Sequence, residues 1–316
     1  MRRLTALIAS IALALVLTAC GAPTQPALKS IAAIADEAGV FTTLLAALTE
    51  AELAATFADD DAGPFTVFAP TDTAFANLLS DLGLTVEELL ALDNLTEILQ
   101  LHVIAGTVSS TDAISAVSAR SLGSELLYFI VDGDDLFIDG VAQVTDADIQ
   151  ASNGVIHVID AVLLPKGTIA DAVVAAAAAA EPQFTTLLDA VLEAAEAVLA
   201  TLSDVDAGPF TVFAPTDVAF AALPDGALDA LLADEAALTD VLLYHVTDAG
   251  ALLASQVVAL VSGGPVDVTM LNGDDVSVSL DGGDVLVNDA TVIVTNVLTA
   301  NGVIHVIDAV LLPPSE

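Results

Sequence analysis

The sequence predicts two tandem α+β domains held outside the cytoplasm, each with its helices first and its strands later. Three observations predict it. An apolar leader ends at the chain's lone cysteine, a domain-sized stretch of sequence occurs twice, and within each copy the hydrophobic spacing changes from helical to alternating.

The leader comes first. Arg2 and Arg3 precede an apolar stretch from Leu4 to Ala19, and Gly21 to Pro26 is small and polar without stop-transfer charges. This is the pattern of an export signal, and the apolar stretch is marginal for a membrane span. Leu17-Thr18-Ala19-Cys20 resembles a bacterial lipobox. The resemblance implies cleavage before Cys20, diacylglycerol on its sulfur and acylation of the new amino terminus. Several acyl chains on one residue exceed the two membrane signals that stable anchoring requires. Residues 1–19 are therefore assigned as signal peptide and 20–29 as a lipidated tether to the cell membrane or outer membrane, facing periplasm or cell surface. With Cys20 as the only cysteine, no disulfide supports the fold.

Charge narrows the partners. The chain carries 44 acidic residues and a net charge of −39, and beyond the leader its only basic residues are Lys29, Arg120 and Lys166. Nucleic-acid affinity comes from lysine and arginine neutralising phosphate, so nucleic acid is excluded as a partner, as is docking on anionic lipid by charge. Mean hydropathy is +0.81, yet the longest later apolar run, Ala172 to Ala180, is mostly alanine and suits a helix better than a span.

The repeat sets the domains. Gly63-Pro64-Phe65-Thr66-Val67-Phe68-Ala69-Pro70-Thr71-Asp72-Thr73-Ala74-Phe75 recurs from Gly208 to Phe220 with one change, Val218 for Thr73. Asn153 to Pro165 recurs unchanged as Asn301 to Pro313, and His102 is matched by His245. The copies stand roughly 145 residues apart, a duplication of domains and not a solenoid of short modules. The domains are assigned to 30–165 and 166–316, with Lys166-Gly167 as the linker.

Within a unit, helical spacing fits Ile31 to Leu48 and Val86 to Leu101. Phe65 to Phe68 is a short apolar strand stopped by Pro70, after which Thr71 or Asp72 caps a helix carrying Ala74, Phe75, Leu78 and Leu79; Thr216 and Asp217 repeat the arrangement. Leu126 to Val144 and Val266 to Val294 alternate around Asp- and Gly-rich turns as hairpins do, and Asn153-Gly154 turns into the buried strand Val155 to Ile159. The alanines from Ala175 to Ala180 read as helix.

The two motifs, TVFAPTDxAF early and NGVIHVIDAVLLP late with a histidine between them, resemble the H1, H2 and YH elements of the FAS1 (fasciclin) family. The resemblance covers both units. It implies a β-wedge or sandwich flanked by helices, an extracellular setting, tandem occurrence and a role in adhesion or matrix association. The family's Tyr-His pair stands as Tyr244-His245 in the second unit and as Leu101-His102 in the first, so the resemblance points to Tyr244 and His245 as binding residues.

No catalytic constellation accompanies these motifs. His102, His157, His245 and His305 all fall at duplicated positions, and His157 with Asp160 recurs as His305 with Asp308. Residues three apart on a strand point to opposite faces, so those pairs do not meet, and the histidines read as buried, hydrogen-bonded structural groups. There is no Gly-x-Ser-x-Gly, His-Glu-x-x-His or Cys-x-x-Cys pattern. The runs Asp59 to Asp61, Asp132 to Asp135 and Asp274-Asp275 lack EF-hand spacing and suit tight turns; weak calcium binding stays open beside an expectation of no cofactor and no metal. The expected function is adhesion to surface polymers or envelope proteins, with binding of a small apolar ligand as the alternative and hydrolysis a distant third.

Overall fold

A computed structural model describes residues 28–180, 183–194 and 196–314. Cys20 and the whole leader lie outside the described residues. The first half contains α1 (Ile31–Ala38), α2 (Thr42–Glu50), α3 (Ala54–Ala58), β1 (Phe65–Pro70), α4 (Asp72–Leu82), α5 (Val86–Leu90), α6 (Leu95–Leu101), β2 (Val103–Ala105), α7 (Ser110–Ala116), β3 (Ser118–Arg120), β4 (Leu126–Asp132), β5 (Asp135–Ile138), β6 (Ala142–Ala151) and β7 (Gly154–Ile159). The second half follows with α8 (Ile169–Ala177), α9 (Thr185–Glu193), α10 (Glu196–Ser203), β8 (Phe210–Pro215), α11 (Asp217–Ala221), α12 (Ala227–Leu232), α13 (Glu235–Leu243), β9 (Val246–Thr247), α14 (Ala254–Val261), β10 (Val266–Thr269), β11 (Asp275–Asp281), β12 (Asp284–Val287), β13 (Ala290–Leu298) and β14 (Gly302–Ile307).

Among the described residues each half carries a seven-stranded sheet, ordered β2-β1-β7-β6-β5-β4-β3 and β10-β11-β12-β13-β14-β8-β9. The duplicated motifs form the centre of both. β1 runs parallel to β7 from Phe65 opposite Gly154 to Pro70 opposite Ile159, and β8 pairs with β14 in the same register. These strands are buried along almost their whole length, which explains their unbroken apolar sequence. A β-carbon on Gly154 would lie 1.9 Å from the Phe65 carbonyl oxygen, and one on Gly302 would lie 2.4 Å from that of Phe210, so close pairing requires glycine at both. Helices cover one side of each sheet, around Leu44, Phe57, Phe75 and Ile156 in the first domain and Leu187, Phe220, Leu238 and Ile304 in the second. The strand-rich end closes over Phe68, Leu127 and Ile138, and over Phe213, Val276 and Val287.

Three helical spans are shorter than their spacing predicts. The span 31–48 divides at Gly39, which caps α1 in the left-handed conformation with φ of 67°. The span 86–101 divides after Ala91 because the turn at Leu92 to Asn94 intervenes before α6. The helix through the alanine run ends at Ala177, since α8 buries only Ile169 and Val173 and the later alanines have no core to cover.

Candidate functional site

Each duplicated polar residue of the sequence has an internal partner. His102, on the residue after α6, is 2% exposed; its Nδ1 donates to the Ile98 carbonyl at 2.7 Å and its Nε2 accepts from Leu163 N at 2.9 Å. His245 repeats both bonds, to Val241 O at 2.7 Å and from Leu311 N at 3.0 Å. Each imidazole thus ties a helix end to the segment following the last strand. Burial depresses both pKa values to about 4, against the opposing effect of the carbonyl bonds, and the neutral tautomer fits the bonding pattern.

His157 lies on β7, stacks on Phe68 with centroids 5.5 Å apart, donates from Nε2 to Val108 O at 2.9 Å and accepts from Asp148 N at 3.2 Å. His305 stacks on Phe213 and donates to Leu252 O at 2.7 Å; burial lowers its pKa also. Asp160 and Asp308 do not meet these histidines. Their Oδ1 atoms accept from Gln143 N and Thr291 N on the neighbouring strands.

Thr71 and Thr216 cap α4 and α11 through Ala74 N and Ala219 N, each at 3.2 Å. Asp72 accepts from Thr42 N, Thr42 Oγ1 and Thr43 N, and Asp217 from Thr185 and Thr186 in the same way, so the carboxylates cap α2 and α9, two helices earlier in the chain. Partial burial pushes these carboxyls up, but the hydrogen bonds outweigh it and leave both below the usual range.

Tyr244 and His245 are 2% and 4% exposed. The Tyr244 hydroxyl donates to Asp275 O at 2.9 Å and accepts from Asn288 Nδ2 at 3.1 Å, and its ring packs with Phe213, Val276 and Val287. As folded, neither presents its side chain to a partner. Among the described residues no group of three or more His, Cys, Asp or Glu could hold a metal ion.

Two features escape sequence reading. Asn153 is more than a turn residue: its Oδ1 accepts from Ile31 N at 2.9 Å, and its Nδ2 donates to the Phe57 and Asp59 carbonyls at 3.1 and 3.0 Å. Asn301 makes the equivalent bonds with Ile169, Leu202 and Asp204. The second feature is the contact between domains. Tyr128 of β4 is fully buried, with its hydroxyl 2.6 Å from the Gly302 carbonyl and 3.0 Å from that of Thr299. Leu126 and Tyr128 pack against Ala251, Leu253 and Val303. Lys166 Nζ lies 2.6 Å from Asp139 and 5.7 Å from the centre of the Tyr128 ring. Burial raises the Asp139 carboxyl, and Lys166 opposes the rise. Arg120 donates to Val205 O at 2.6 Å and to Ala207 O at 3.4 Å.

Two of the three basic residues beyond the leader therefore bridge or line the junction of two strongly acidic domains. Their positive charge offsets part of the like-charge repulsion across the junction. The double substitution Arg120→Met with Tyr128→Phe is expected to increase the maximum dimension in small-angle scattering while far-ultraviolet circular dichroism stays unchanged. An unaltered scattering profile would show that the apolar contact alone fixes the pair.

The fasciclin domain model matches residues 39–165 and again 182–313. The chain belongs to the fasciclin family. It is 33% identical over 260 residues to human periostin, covering 80% of this chain and 29% of that protein. It is 47% identical over 139 residues to protein sll1483 of Synechocystis, covering 43% of this chain and 71% of the relative. A solved FAS1 domain pair from the insect cell adhesion molecule Fasciclin I aligns with 87% of this chain and 98% of its own, at 20% identity and a TM-score of 0.39. The fasciclin chain described here thus spans less than a third of periostin. Among its described residues no helix is long and apolar enough to cross a membrane.

Proposed function

We propose that this fasciclin-family chain is an envelope-anchored, extracytoplasmic adhesion or matrix-association protein that binds surface polymers or envelope proteins and catalyses no reaction. One observation carries the reading. All four histidines and Tyr244 are committed to hydrogen bonds inside their own domains, so the acid-base groups of the repeat are structural and interaction falls to the outer faces. Membership of the fasciclin family supports it. Cys20 is the proposed lipid attachment point, which would hold both domains at the envelope surface.

A cleft in the second domain favours the small-ligand alternative. About 130 Å³ is lined by Val198, Leu202, Thr239, Leu243, Val246 and Leu271, and the Thr239 hydroxyl has no hydrogen-bond partner among the described residues. That volume falls short of the ~300 Å³ at which ligand pockets begin. The enclosed cavity beside Leu44 and Phe57 in the first domain, at about 20 Å³, holds little more than a water. A screen of the purified chain against envelope polysaccharides and proteins, first with calcium and then with chelator, separates the readings. Adhesion predicts retention of a macromolecule, whereas lipid or pigment extracted from the native protein would favour the small ligand; loss of retention on chelation would establish the calcium dependence left open by the acidic turns.

A further inference from the structure

We propose that the second domain carries a docking face for a cationic, amphipathic protein segment, formed by Val218, Ile293 and Val294. The proposal rests on the adhesive reading only in supposing a protein partner outside the cytoplasm. Val218, in the first turn of α11, is 77% exposed, and Ile293 and Val294 on β13 are 52% and 48% exposed. Val218 and Ile293 share a surface depression of about 350 Å³ with Gln183, Thr216, Asp217 and Asp308. Single exposed apolar residues are ordinary; apolar residues that meet in one depression rimmed by polar side chains, as Val218 and Ile293 do, mark an interaction surface, and Val294 follows Ile293 on β13.

The first domain supplies an internal control. β6 pairs with β7 through Val144 opposite Ile159, Asp146 opposite Val158 and Ile149 opposite Ile156. β13 pairs with β14 through Val292 opposite Ile307, Val294 opposite Val306 and Val297 opposite Ile304, with the same irregularities between. Val294 therefore occupies the place of Asp146, and Ile293 that of Thr145. Val218 occupies the place of Thr73 in the otherwise identical early motif. Thr145 and Asp146 are exposed as well, so the same backbone stands with polar side chains and the fold does not require apolar ones here. One rim position changes in the opposite sense, Gln183 for Val40.

Charge selects the occupant. Asp217 and Asp308 border the apolar group, and hydrogen bonding keeps Asp217 ionised. A second copy would bring the same net charge of −39, and of its basic residues beyond the leader Arg120 and Lys166 are engaged at the junction. Anionic polymers and anionic lipid are repelled on the same ground. A segment with aliphatic or aromatic side chains between lysines or arginines meets both the apolar floor and the acidic rim.

Fluorescence anisotropy of the full chain in detergent tests this with a labelled peptide of alternating lysine and leucine. A lysine-serine peptide of equal charge and a glutamate-leucine peptide serve as controls. The lysine-leucine peptide is expected to bind one site, with the lysine-serine peptide about tenfold weaker or more. Val218→Thr, Ile293→Thr and Val294→Asp together transplant the first domain's residues and should weaken binding about tenfold at unchanged melting temperature. The reciprocal set Thr73→Val, Thr145→Ile and Asp146→Val should add a second site. Equal binding of both cationic peptides, or no effect of the first set, overturns the proposal. So does a dimer in sedimentation that the first set abolishes, because a second copy then covers the face. Cells carrying the first set that lose peptide binding yet attach normally refute this face as the adhesive one and leave the adhesive reading standing. Attachment independent of the protein altogether would refute that reading, while the peptide result would still decide the face.

Discussion

Replacing Asn153 with alanine is expected to destabilise the first domain by about 3–5 kcal/mol, measured by urea unfolding followed by circular dichroism. The Asn153 side chain is almost wholly buried and ties two separate pieces of backbone to its own turn through three bonds: the start of α1, and the end of α3 with the residue that follows it. Alanine leaves the Ile31 N–H and the Phe57 and Asp59 carbonyls without that partner, and each buried orphan costs about 1–3 kcal/mol. The backbone carbonyl of Asn153, which accepts from Phe65 N at 3.0 Å, is retained, so the start of the β1–β7 pairing survives. Asn153→Asp keeps the acceptor, loses the donors and buries a charge, so it should be no milder. Asn301→Ala should cost the second domain a similar amount through the same three bonds. A loss below about 1 kcal/mol would mean that water replaces the amide without penalty.

The second large effect is a loss of stability on mild acidification. His102 and His245 have folded pKa values depressed from 6.5 to about 4. The unfolded chain therefore takes up protons first, near pH 6.5, and the folded chain only near pH 4. In that window the unfolded state binds more protons, so stability falls as pH falls, and the loss is complete once pH drops below the folded value. From pH 7 to 5.5 the two groups together should remove roughly 2–3 kcal/mol. His305, depressed in the same direction, adds to it. This interval lies above ordinary carboxylate titration, and only the carboxyls that burial raises, Asp139 and Glu125, act in the opposite direction. Chemical denaturation at the two pH values measures it. Equal stability at both would show that these imidazoles are solvated, contrary to their burial.

What the sequence made legible is what it says twice. The strands built from the repeated apolar runs, the caps at Thr71 and Thr216 and the α+β order of each half can be read from spacing and turn chemistry because local rules determine them. The parallel pairing of β1 with β7 joins segments far apart in the chain and leaves no local trace. The division of the span 31–48 turns on Gly39, a single capping residue inside an otherwise continuous apolar pattern. Tyr244-His245 is conspicuous as a motif, yet only the structure shows both side chains turned inward. Tyr128 and Arg120, which join the domains, have no repeated signature, and neither do Ile293 and Val294. The contact between the domains thus falls where the two copies differ, and there duplication gives no guidance.

Attachment of cells to a surface, compared between a strain lacking the protein and the same strain with the gene restored, tests the adhesive role most directly. The account predicts that attachment falls without the protein, returns with the intact chain, and does not return with a chain in which Cys20 is replaced by serine and the product is released. Equal attachment with and without the protein would contradict it.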